Sequence, residues 1–157
     1  LSGLRRLNPA ISMGSHWQKY ITPDVYCYVR RYRDSVCFVA LNRGGATTLE
    51  NVETELPDGE HTCILTREKY EVVDGKIAHL DLAERGVIVF SHVGERVKGQ
   101  TIVRVQLNGV QTLPGETIVV TGDCPELGNW DISKAYPLEY INTNTWFAEI
   151  PFNESAG

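Results

Sequence analysis

Twenty acidic residues, four histidines and four cysteines are the side chains of this 157-residue chain that could move protons, attack a bond or hold a metal. General acid–base chemistry asks for two carboxylates held across a cleft. The acids here, Asp34, Asp58, Asp74 and Asp123 among them, fall mostly in turns or at strand ends, where a charge stays hydrated. His16, His61, His79 and His92 are scattered, and neither G-x-S-x-G nor H-E-x-x-H occurs. Gly44-Gly45 lacks the Lys and the strand-to-helix setting of a phosphate loop. Cys27, Cys37, Cys63 and Cys124 form no C-x-x-C and have no zinc-finger spacing. The sequence predicts no catalytic residue, no metal site and no cofactor.

One aromatic residue offers a different chemistry. Thr117–Thr121 is β-branched enough for a strand, and Gly122–Asn129 is dense in turn formers that stop it. Trp130 follows the bend at Gly128-Asn129. An indole on a tight polar corner is costly to leave bare unless something flat lies on it, and the apolar face of a glucose ring is such a partner. Asn129 beside it could hydrogen-bond a sugar hydroxyl. Trp146 shares strand parity with Ala148 and Ile150 and is expected in a core.

The elements that must hold this corner are strands. Val25–Tyr32 and Ser35–Asn42 flank Arg33-Asp34 as a hairpin. That pairing sets Cys27 opposite Ala40 and Cys37 opposite Arg30, with the two sulfurs on opposite faces, so free buried thiols are expected. Strands are also expected at Thr48–Leu56, His61–Thr66, Ile77–Leu82 and Gly86–His92, the last as a central strand. Asp74-Gly75 reads as a hairpin turn. Val93–Gly99 reads as a linker, followed by strands at Thr101–Asn108, Glu116–Gly122 and Thr145–Phe152. At the start, Leu4, Leu7 and Ile11 have helical spacing, but Pro9 predicts a short helix that stops near Leu7. The fold class is all-β: two consecutive β-sandwich domains, the second truncated, after a short N-terminal helix. A net charge of −5 without a basic run argues against nucleic acid or anionic membrane as partner. No apolar run reaches the ~20 residues that cross a bilayer.

Three stretches resemble known families. Gly115-Glu116, Thr121-Gly122, Leu127-Gly128-Asn129-Trp130-Asp131, Ala135, Pro137-Leu138 and Trp146 resemble the opening half of the family-twenty starch-binding module. The hairpin ending Ala40-Leu41-Asn42-Arg43 resembles domain C of cyclodextrin glucanotransferases and bacterial α-amylases. Residues Leu4–Ile11, with Gly14 and then Trp17, resemble the last helix of the amylase-type barrel and its exit. On this reading residues 1–20 are a barrel remnant, 21–97 domain C, and 98–157 part of the starch-binding module.

The resemblance implies a non-catalytic C-terminal part of a starch-acting enzyme, an α-amylase or a cyclodextrin glucanotransferase. Its partners would be starch, malto-oligosaccharide or cyclodextrin, and the missing catalytic barrel in cis. The parent would work outside the cytoplasm, extracellular or periplasmic. Trp130 would be one wall of the module's first sugar site, whose second Trp and a Lys belong to a C-terminal half beyond this sequence. Tyr140, with Leu113 and Pro114 opposite it, would belong to a second site. A truncated sandwich exposes strand edges, so a homodimer through the second domain, or disorder near the C-terminus, is expected. The competing reading is a β-sandwich protein–protein interaction module with Trp130 at a contact hot spot and no glycan binding.

Overall fold

The computed structural model describes residues 2–95, 97–142 and 144–153, leaving out the side chains of Ser2 and Asn142. Arg96 in the linker, and the C-terminal stretch for which disorder was expected, lie outside the described residues. The chain divides into two units, residues 1–94 and 95–157.

In the first unit α1 (Ser2–Leu7) is followed at once by α2 (Pro9–Met13). The expectation that helix ends near Leu7 therefore holds for α1 but misses α2. Pro9 does not break a helix here; it opens one, at the first position, where its missing N–H costs nothing. Asn8 caps α2 by accepting from the Ala10 N–H at 2.9 Å. The Asn8 side chain is fully buried, and its amide nitrogen reaches the Val36 carbonyl (3.1 Å), the Ser91 hydroxyl (2.8 Å) and the His92 carbonyl (3.1 Å).

Strands β1 (Ser15–Ile21), β2 (Val25–Tyr32), β3 (Ser35–Asn42) and β8 (Val87–His92) form an antiparallel sheet in the order β1-β2-β3-β8. The β2–β3 register is the one the turn at Arg33-Asp34 dictates, with Cys27 opposite Ala40 and Cys37 opposite Arg30. Strand β1 crosses the boundary drawn between residues 20 and 21. Two further pairs, β4 (Thr47–Glu53) with β7 (Lys76–Leu82) and β5 (Gly59–Thr62) with β6 (Lys69–Val72), share a core with that sheet. Alternate residues Cys27, Val29, Phe38, Ala40, Ile88 and Phe90 meet Leu49, Val52, Val72, Ile77, Leu80 and Leu82 there. The turn before β7 is the Asp74-Gly75 turn, with φ +51 and +70 at its two residues.

Strand β8 corrects the expectation of a central position, since it ends the sheet. Its apolar run is explained by what covers its free side: Ile64 N–H donates to the Val89 carbonyl at 2.9 Å, and Val89 N–H reaches the Cys63 sulfur at 3.5 Å. Burial alone would raise the Cys63 thiol; hydrogen bonds from Thr66, Val89 and Leu65 outweigh it and hold the thiol below its ordinary value.

In the second unit β12 (Glu139–Asn142), β13 (Thr145–Phe152) and β9 (Thr101–Asn108) pair antiparallel in that order. Strands β10 (Val119–Val120) and β11 (Tyr136–Pro137) form a short second ladder. The strand expected at Glu116–Gly122 shrinks to two residues: Glu116 closes the preceding turn, Gly122 opens the following bend, and beyond Val119 the pairing goes on only as the Ile118 carbonyl accepting from Leu138 N–H at 2.9 Å. Trp146, Ala148, Ile150 and Leu138 are buried together, with Val105, Ile118, Val120, Leu127, Tyr136 and Phe152 packed around them. Trp146 is thus a core residue, as its parity required.

All four cysteines are free. Burial pushes the Cys27 and Cys37 thiols up to about 11. An unfolded chain loses these protons first, so the folded state binds more protons and stability falls as pH rises from the ordinary thiol value towards 11. Cys63 pulls the other way, so the difference against a Cys27→Ala/Cys37→Ala variant isolates the pair. Urea unfolding at pH 8 and 10.5 is expected to show the native chain losing on the order of 2 kcal/mol per thiol relative to that variant.

Candidate functional site

The bend that carries Trp130 is built from backbone hydrogen bonds. Gly122 closes it from both sides, its N–H donating to the Leu127 carbonyl at 3.3 Å and its carbonyl accepting from Trp130 N–H at 2.7 Å. Inside, the Cys124 carbonyl accepts from Leu127 (3.1 Å) and Asn129 (3.0 Å), as a single 3-10 turn at Pro125–Leu127. Three successive residues then lie in the left-handed region: Gly128 at φ +80, Asn129 at +50 and Trp130 at +65. Only glycine fits at 128, since an added Cβ would stand 2.7 Å from the Lys134 carbonyl.

The far side of the bend is capped by Asp131. Its carboxylate accepts from the Ser133 N–H (3.0 Å) and hydroxyl (2.7 Å) and lies 3.3 Å from the Lys134 ammonium. The Ser133 hydrogen bonds, with Lys134 beside them, lower the Asp131 pKa below the usual carboxylate value. Leu127 points inward and packs on the core, which anchors the loop. Trp130 points outward and is 67% exposed. Asn129 is exposed beside it, and its side-chain amide has no hydrogen-bond partner among the described residues. The corner therefore presents one flat apolar face next to one free amide, on a backbone that has nothing left to order.

Tyr140 and the pair Leu113-Pro114 lie elsewhere on the unit. Tyr140 stands directly opposite Trp146 in the β12–β13 ladder and is 43% exposed. Its ring meets the Trp146 ring edge-on, with centroids 5.4 Å apart. The residue is thus shared between the core margin and solvent. Leu113 opens a turn whose central residues are Pro114 and Gly115, with Gly115 at φ +92 and the Glu116 N–H closing on the Leu113 carbonyl at 3.0 Å. Proline then glycine with positive φ is the type II pattern, and it leaves the Leu113 side chain exposed.

The Trp130 bend is tied to the end of β13 by Glu126, whose carboxylate accepts from Asn153 N–H at 3.3 Å. Tyr140 and the loop that leads to Leu113 are at the other end of the sheet, where Gly109 N–H donates to the Asn144 carbonyl at 2.8 Å. Along the residues of β13 that separates them by ~23 Å. The structure brings Asn129 to Trp130, and sets Tyr140 towards the opposite end of β13 from their bend. Sequence reasoning missed exposed Ile132, two residues past Trp130, and the capping role of Asp131; the D-x-S spacing at Asp131–Ser133 was the available signal for the latter.

Comparison with known proteins gives two domain matches. Residues 18–93 match the alpha amylase C-terminal all-beta domain, and residues 100–156 match the starch binding domain. The cyclomaltodextrin glucanotransferase of Klebsiella oxytoca is 26% identical over 152 residues, which is 96% of this chain and 23% of that protein. Its namesake in Bacillus licheniformis is 45% identical over 67 residues, covering 41% of this chain and 9% of the relative. A crystal structure of a cyclomaltodextrin glucanotransferase with a three-domain ABC distribution superposes with a TM-score of 0.53 at 32% identity, covering 60% of this chain and 21% of that one. This chain spans a quarter or less of the length of these relatives.

Two outcomes are expected at the bend. Gly128→Ala combines a positive φ with a backbone clash and should destabilise the second unit by ~2 kcal/mol or more in urea unfolding, whereas Gly3→Ala, with open space around it, should not. An NMR titration should find the Asp131 carboxyl below the usual range. Its contribution to local order is present above the ordinary carboxylate pKa and is lost as pH falls through the depressed folded value. Ser133→Ala should move the titration back up.

Proposed function

Since this chain carries an α-amylase C-terminal all-β domain and a starch-binding domain in series, we propose that it is the non-catalytic part of a starch-acting enzyme that holds α-glucan. The observation that carries the reading is the exposed Trp130 ring on a bend closed by backbone hydrogen bonds at Gly122 and Cys124. A sugar ring laid on that indole removes apolar area from water on both partners, and the Asn129 amide can hydrogen-bond a ring hydroxyl. Because the bend is ordered before binding, little conformational entropy is lost. Tyr140 with Leu113 and Pro114 forms the second, weaker contact at the opposite end of the sheet.

In the parent the chain keeps the catalytic domain close to its polymer by raising the effective local concentration of substrate. That parent is an α-amylase-type hydrolase or a glucanotransferase, and it works in the extracellular or periplasmic space. The catalytic domain has a place to attach on the first unit. Tyr26, Leu41 and Val87 stand side by side across β2, β3 and β8, on the sheet face turned away from the core, and Leu41 and Val87 remain exposed. His16 stacks on Tyr28 beside this row at 4.6 Å. We assign this apolar row to packing against the barrel. A homodimer through the second domain is the remaining partner in this proposal.

Titration with β-cyclodextrin, followed by tryptophan fluorescence, tests the glycan site. Trp130→Ala should weaken binding by about tenfold or more, equivalent to ~1.4 kcal/mol, with unchanged circular dichroism. Asn129→Ala should cost less. Binding that survives Trp130→Ala at full strength would place the site elsewhere, and a protein that never responds to the sugar would favour the protein–protein contact reading instead.

A further inference from the structure

Strand β8 ends the first unit's sheet, and its free edge is covered only in part. Asn42 N–H donates to the Gly86 carbonyl on the β3 side, so Ile88 and Phe90 also bond that way, while Val87 and Val89 direct their backbone groups outward. The Cys63-Ile64 segment meets Val89 there. It then turns back, with Arg67 N–H on the Cys63 carbonyl at 3.0 Å and Cys63 N–H on the Glu68 carbonyl at 2.8 Å. None of the described residues bonds the outward N–H and carbonyl of Val87. A groove of about 560 Å³ opens at that point, lined by the turn at 66–68, the start of β4, the end of β7 and Val87 itself.

The groove's polar side chains carry oxygen alone. Thr48 and Asp81 face each other across the β4–β7 ladder, and the Thr48 hydroxyl donates to the Asp81 carboxylate at 2.6 Å. The Thr66 hydroxyl donates to the Glu68 carboxylate at 3.0 Å. Each carboxylate keeps its other oxygen open to a donor. Tyr70, two residues from Glu68, donates its hydroxyl to the Asp81 carbonyl at 3.4 Å and ties the two sides together. Asn42 fixes the adjoining loops, its amide on the Gly45 and Ala83 carbonyls at 2.8 and 2.9 Å. Among the described residues no lysine, arginine or histidine lines the groove, which argues against an anionic ligand. A metal ion would compete with the threonine hydroxyls for the same carboxylates. A ligand rich in hydroxyls instead extends the network, donating to the open carboxylate oxygens and accepting from Val87 N–H.

We infer that this groove is a sugar subsite on the first unit, taking a short run of glucose residues with Asp81 and Glu68 as acceptors for their hydroxyls and Val87 N–H as a donor to one. The choice of glucose rests on the proposed function; the preference for a neutral, hydroxyl-bearing ligand rests on the groove.

Maltotriose titrated into the isotope-labelled full chain, read amide by amide in NMR spectra, tests it. The amides of Thr48, Thr66 and Val87 should shift and saturate, besides those of the Trp130 bend. Asp81 and Glu68 are exposed, so Asp81→Ala and Glu68→Ala should leave the rest of the spectrum in place. Each should weaken the groove's response by about tenfold, the loss expected for a charge-assisted hydrogen bond, and leave the bend's response unchanged. Shifts confined to the bend overturn the inference and leave the proposed function standing. Shifts confined to the groove support it and take the sugar away from Trp130. No response at either place overturns both. A groove response that survives both variants at full strength overturns it as well. Groove shifts with calcium chloride but not with maltotriose give the groove to a cation and overturn the sugar.

Discussion

A side chain at the end of a turn points where the backbone sends it, and here the backbone is set by one steric restriction. At residue 128 the space that a Cβ would fill is held by the Lys134 carbonyl, so the chain can pass only as glycine in the left-handed region. Asn129 and Trp130 follow in the same region. Asparagine tolerates that conformation; tryptophan does so reluctantly. The hydrogen bonds from Trp130 to Gly122 and from Asp131 to Gly128, 2.7 and 2.9 Å, hold it there. In the middle of this unit's sheet the same residue type turns inward, as Trp146 does. The same indole is therefore core in one setting and display in the other, and the difference lies in three φ angles.

The two units solve the problem of burying a sheet face differently. The first closes a sandwich, with a four-stranded sheet against two antiparallel strand pairs and sulfur atoms among the interior groups. The Cys63 sulfur there accepts hydrogen bonds at 3.5 Å from the Thr66 and Val89 amides, so a thiol does work that a backbone carbonyl usually does. The second unit has a smaller core under three strands and one short ladder. Much of its chain is turn, and the turns carry the residues assigned to sugar. A scaffold with fixed strands and ordered bends suits recognition by stacking, because the flat partner must be aimed before it is met.

What was legible in the sequence is what depends on neighbours along the chain. The hairpin from Val25 to Asn42 follows from its two-residue turn, and register then places both cysteines. The parity of Trp146 and the corner at Gly128-Asn129 are equally local. Misreadings came where one residue type has two uses. Pro9 is forbidden inside a helix and favoured at its start, and only the buried Asn8 before it decides between them. Gly86–Phe90 is apolar enough for a sheet centre, but what covers the strand is the Cys63-Ile64 segment, distant in sequence. Thr117–Thr121 has strand-like residues whose ends are claimed by turns, so two residues pair. At the site, residue types identified Trp130; the closing bonds of its bend and the separation from Tyr140 needed coordinates.

Asn8 bears on where this polypeptide can be cut or joined. Its amide satisfies carbonyls on two strands that it reaches from outside the sheet, at Val36 and His92. A protease nick or a fusion junction before Ser2 would leave that plug in place. Trimming back to the first strand would instead take from these carbonyls both their donor and the helical cover over them, and that end of the sheet would lose hydrogen bonds and burial together. Excision boundaries for the isolated modules should therefore be drawn upstream of the arm, although the family match itself begins only at residue 18.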